Sequence, residues 1–125
     1  MVSNWIQINP LGWCHANSKN STKEQHGYEI IDTHQPGSPV VKTGVGSGPL
    51  NKNGTLSRAN KQVNAWNREP GNTTKVNGVD KGRYEARVVK HEPTGAGARE
   101  RILKWEEQNA NANRATLDPN RHKKP

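Results

Sequence analysis

Large apolar side chains are scarce in this 125-residue chain and come in a few short runs, which limits it to one small core. Phenylalanine is absent and hydrophobic residues make up only 29 %, so each run must contribute to that core. Both charge signs are mixed between the runs, which separates the chain from a disordered, one-sign composition.

The runs have readable periods. Tyr28-Glu29-Ile30-Ile31-Asp32 is short, aromatic and β-branched, and predicts a strand. Val40-Val41-Lys42-Thr43-Gly44-Val45 predicts a second, joined to the first as a hairpin across a loop with two prolines. A helix is expected from about Thr55, which would cap it, because Leu56, Ala59, Val63 and Trp66 recur at helical spacing. Arg58 falls outside that apolar stripe but within reach of a cleft beside the core. Pro70-Gly71 stops the helix, and residues 72–82 read as loop. Residues 83–90 alternate, with Tyr84, Ala86 and Val88 on one side, and predict a third strand. The expected fold is therefore α+β, a small three-stranded antiparallel sheet packed with two main helices, in one domain.

The last helix, expected over about residues 95–117, is the most informative. On its wheel Ala98, Ile102, Leu103, Trp105, Ala110 and Leu117 span one arc, and Glu106 falls in the middle of it. Glu107 points away. An unpaired carboxylate facing the body of a protein is costly. Two readings follow: Glu106 pairs with an arginine such as Arg58, or it lines a cleft and holds a divalent cation through hard oxygen.

Charge points to the partner. Lys and Arg outnumber Asp and Glu by 19 to 11, a net charge of +8, which favours a polyanion, and nucleic acid is the commonest large one. Lys52, Lys61, Arg121 and Lys123 are the expected phosphate contacts. The single cysteine, Cys14, excludes an internal disulfide. No apolar run approaches the ~18 residues of a membrane-spanning helix, so no membrane association is expected.

The order of parts resembles the GIY-YIG nuclease superfamily, in particular its branch found as bacterial toxin tips. The resemblance lies in Gly27-Tyr28-Glu29-Ile30, Lys42-Thr43-Gly44, Ser57-Arg58-Ala59-Asn60, Gly97-Ala98-Arg99, Glu106 and Leu117-Asp118-Pro119-Asn120, and covers about residues 26–122. It implies a metal-dependent endonuclease with Tyr28, Lys42, Arg58 and Glu106 as catalytic residues and Mg²⁺ or Mn²⁺ on Glu106. Lys42 departs from the pattern, standing where the family usually has tyrosine. His26 and Asn120 are lesser candidates. Ile8-Asn9-Pro10-Leu11-Gly12-Trp13 is similar to the segment joining Rhs-type polymorphic toxins to their variable tips. That implies a leader over residues 1–25 and a nuclease domain over 26–125. It also implies delivery as the tip of a larger secreted protein, DNA (or RNA) of rival bacteria as substrate, an acidic immunity protein as partner, and action as a monomer.

Two other functions are carried. One is a nucleic-acid-binding module without catalysis, resting on charge alone. The other is a metal-independent ribonuclease using His26, His91 or His122, which needs two histidines, or a histidine and a glutamate, facing one cleft. The strand pattern read from the sequence does not bring them together.

Overall fold

The computed structural model describes residues 21–122. The toxin-like motif at residues 8–13 and the expected phosphate contact Lys123 lie outside them. The element order is β1 (Gln25–Asp32), β2 (Val40–Ser47), α1 (Ser57–Asn67), β3 (Thr73–Val76), β4 (Val79–Gly82), β5 (Tyr84–Glu92) and α2 (Ala98–Ala112). The expected α+β architecture is present: β2, β1 and β5 form an antiparallel sheet with β1 in the centre, flanked by the two helices.

Alternation along β1 decides which helix each residue meets. Tyr28 and Ile30 enter a core with Val41, Leu56, Ala59 and Tyr84, on which Val63 and Trp66 of α1 also pack. Glu29 faces the other way, where Asn109 of α2 donates to its carboxylate at 3.0 Å. Gly27 lies on that same face because a Cβ there would overlap the Trp105 ring of α2. The sheet is thus sandwiched between α1 and α2. Ala98, Ile102 and Ala110 of the predicted arc are buried in α2.

Several local expectations are corrected. Gln25, the last residue of the expected leader, begins β1 instead, and both Ser21 and Gln25 are buried. Its amide is satisfied there: Nε2 donates to the Lys23 carbonyl, and Oε1 accepts from Ser47 and Arg99. Thr55 does not cap α1. The N-cap is Leu56, without a side-chain cap, while Thr55 bonds to the side chains of Asn51, Asn53 and Asn60. Residues 72–82 are not loop throughout. They hold the β3–β4 hairpin, turned at Asn77 and Gly78, both at positive φ as a type I′ turn requires. The second helix stops at Ala112, so Leu117 lies beyond it.

The segment after α2 is docked along the outer edge of β2. Thr116 Oγ1 donates to the Val40 carbonyl, Asp118 N–H to the Val41 carbonyl, and Thr43 N–H to His122 Nδ1. Edge-strand backbone groups are thereby covered. Arg121 anchors this segment rather than standing free for phosphate. Its guanidinium bonds Glu69 at 2.6 Å and lies over the Trp66 and Tyr84 rings, at 4.6 and 5.1 Å.

Candidate active site

Four elements supply one cavity of about 280 Å³ beside β2, lined by Tyr28, Lys42, Thr43, Gly44, Val45, Arg58, Gln62, Arg99, Leu103 and Glu106. Tyr28, Lys42, Arg58 and Glu106, separated by up to 78 positions in sequence, therefore share one wall. The reasons are local. Tyr28 and Gly44 are directly paired across β1 and β2, and a Cβ at position 44 would overlap the phenol. Glycine there lets the ring lie across the neighbouring strand. Arg58 and Gln62 are four residues apart in α1 and point the same way. Arg99, Leu103 and Glu106 follow each other at four and three residues on one stripe of α2.

Tyr28 donates its phenolic hydrogen to Gln62 Oε1 at 2.9 Å. Burial pushes its pKa above the usual phenol value, against the opposing influence of Arg58. Lys42 Nζ donates to the Arg121 carbonyl at 3.0 Å, so the docked C-terminal segment fixes its position. Burial lowers the Lys42 pKa and Arg58 adds to this, while Glu106 opposes it. Burial also raises the Glu106 pKa against the pull of Arg99, Lys42 and Arg58. Among the described residues, no cation comes within 4.0 Å of the Glu106 carboxylate, so the simple ion pair with Arg58 is not formed. Glu107, its neighbour, is exposed.

Arg99 is the site residue that sequence reasoning passed over. It is buried, donates Nη1 to Gln25 at 3.1 Å, and keeps Nε without a partner. Thr43 Oγ1, also buried on this wall, has none either. The seven-residue spacing of Arg99 from Glu106 was a readable signal, since seven residues complete about two helical turns. Three cations and one carboxylate thus face a polar cavity, an arrangement suited to an anion with several oxygens. Lys52 and Lys61 are exposed outside it.

A second, larger cleft of about 550 Å³ is lined by Glu24, His26, Pro49, Leu50, Val88, Val89, Lys90 and His91. Here the sequence expectation that the histidines stay apart is corrected. His26 and His91 are cross-strand partners, with their Nδ1 atoms 3.3 Å apart. The cause is a bulge. Tyr28 pairs with Val88 but Gly27 pairs with Lys90, so Val89 is an extra residue in β5. Past it the alternation is reversed and His91 turns to the face of His26. With Glu24 the two histidines form a group that could hold a metal ion. Neither a scan against family models nor searches of curated proteins and solved structures gave a match.

Proposed function

We propose that this protein is a phosphodiester-cleaving endonuclease of the GIY-YIG type, working at the Tyr28–Lys42–Arg58–Glu106 cavity. The observation that carries the reading is that these four residues, from four elements, line one polar cavity together with Arg99. Arg58 and Arg99 suit the non-bridging oxygens of a phosphodiester, because each guanidinium offers a planar fork of donors. Lys42 lines the cavity, where burial disfavours its charged form, and on this reading it takes a proton from the attacking water. Tyr28, whose pKa is raised, is fitted to hold that water rather than deprotonate it. As the water oxygen bonds to phosphorus, the bond to one sugar oxygen breaks, and that oxygen takes its proton from solvent.

Glu106 is the only carboxylate on the cavity wall among the described residues, half-buried and clear of any ion pair within 4.0 Å. That fits Mg²⁺ or Mn²⁺, which take one or two carboxylates and complete their shells with substrate phosphate and water. When bound, the cation would neutralise charge on the phosphoryl group. In the wider reading DNA is the substrate, and the chain is the toxic tip of a larger exported protein. An acidic immunity protein would cover the cavity in the producing cell. The net charge of +8 supports a polyanionic substrate and an acidic partner.

The ribonuclease reading gains a histidine pair but is the weaker. The histidine pair lines a different cavity from Lys42, Arg58 and Arg99, the cations fitted to a phosphoryl group.

Plasmid nicking with Mg²⁺ and with chelator tests the proposal. Glu106→Gln should abolish nicking while DNA binding persists, and Glu107→Gln should nick as the parent does. Equal activity in the two variants would remove the metal-site reading and leave a binding module.

A further inference from the structure

We infer that Glu24, His26 and His91 form a second metal site, distinct from Glu106, that binds a borderline transition cation of the Zn²⁺ class. Two imidazoles and one carboxylate are the donor set such a cation prefers, whereas Mg²⁺ seeks oxygen throughout. The spacing agrees. Two nitrogens each ~2.0–2.1 Å from a tetrahedral ion lie roughly 3.3–3.4 Å apart, and the two Nδ1 atoms are 3.3 Å apart. Glu24 Oε2 is 4.0 Å from His91 Nδ1, and all three ligand atoms lie within 4.8 Å of one another. Glu24 is partly exposed, so a small swing of its side chain closes the triangle.

Two further observations support a ligand here. His26 is buried with its Nε2 3.6 Å from Glu24 Oε2, so the carboxylate already faces the histidine pair. The Val89 bulge also interrupts the β1–β5 pairing at the one position that turns His91 toward His26. Bulges recur where a side chain must be re-aimed. Three protein ligands leave a fourth position, and the group opens onto a cleft of about 550 Å³. The ion would tie residue 24, ahead of β1, to the end of β5.

The full chain, stripped with chelator, is to be titrated with Zn²⁺ by calorimetry and with Co²⁺ by absorption. One equivalent of Zn²⁺ should bind, Co²⁺ should give the intense visible bands of tetrahedral coordination, and saturating Zn²⁺ should raise the melting temperature by about 10 °C. His91→Ala, at an exposed position that should leave folding intact, and Glu24→Gln should each weaken Zn²⁺ binding at least ~10-fold. Glu106→Gln should leave it unchanged, which separates this site from the proposed nuclease centre. No saturable binding, binding that survives His91→Ala, or binding lost in Glu106→Gln would each overturn the assignment.

Discussion

Asp32 shows at the residue scale how one buried charge is made affordable. It is 1 % exposed and takes two bonds from Arg83, Nε to Oδ1 at 2.8 Å and Nη2 to Oδ2 at 2.7 Å. These bonds, with Gln35 and the His34 amide, hold its pKa at about 2, below the usual 3.8. A carboxyl whose pKa is depressed on folding contributes stability above its unfolded value and loses it as pH falls through the folded one. The shift corresponds to about 2 kcal/mol. Asp32→Asn should therefore cost about 2–3 kcal/mol at neutral pH, below the ~3–5 of a fully buried pair because Arg83 is partly exposed. In denaturant melts the gap between parent and variant should narrow from pH 4 to pH 2. A gap independent of pH would show that the pair does not titrate as described. Nothing in the sequence marks Asp32 for this role, since its partner lies 51 positions away.

Elements position the candidate site through close contacts and register. Gly44 is the clearest case, because the Tyr28 phenol occupies the space its Cβ would fill. Gly44→Ala should force the ring off its place, costing about 1–3 kcal/mol and, on the proposed reading, most of the nicking rate. A variant that melts and nicks like the parent would detach Tyr28 from the site. Register matters as much in β5. Deleting Val89 takes out the extra residue but leaves Lys90 paired with Gly27 and His91 with His26, now by simple alternation from Val88. Zn²⁺ binding should then persist, with the far-ultraviolet circular dichroism retained, whereas deleting Val89 and Lys90 together should turn His91 to the opposite face and lower binding as far as His91→Ala does. Binding that survives the double deletion would mean that the register of β5 does not orient the site. The strand pattern in residues 83–90 was legible from its alternation, but a bulge has no alternation of its own. It is visible only once the partner strand is known. The β3–β4 hairpin is different: Asn77-Gly78 was a readable turn signal, obscured because its flanking strands are short, polar and exposed.

For the whole molecule, the docked segment after α2 closes the sheet. It satisfies outward-facing groups of Val40, Val41 and Thr43 and holds Lys42 through the Arg121 carbonyl. Truncation after Asn113 should therefore expose a strand edge. The expected outcome is a lower melting temperature and self-association that grows with concentration in sedimentation. A truncated protein that stays monomeric and melts unchanged would show that this segment is dispensable. The two helices cover opposite faces, so the sheet edge beside β2 is where residues from both can meet.

By itself the sequence determined the periodic parts of this protein. Alternation and helical spacing report which side of an element is apolar, and that is enough for three strands, two helices, the inward turn of Glu106 and the outward turn of Glu107. Tertiary structure alone decided what depends on partners distant in sequence. It turned Arg121 from an expected phosphate contact into an anchor on Glu69, Trp66 and Tyr84. It buried Arg99 beside Glu106 and, through one extra residue in β5, set His91 against His26. The physical reason is the same each time: period belongs to a single segment, whereas an ion pair, a buried polar group or a strand register exists only between two.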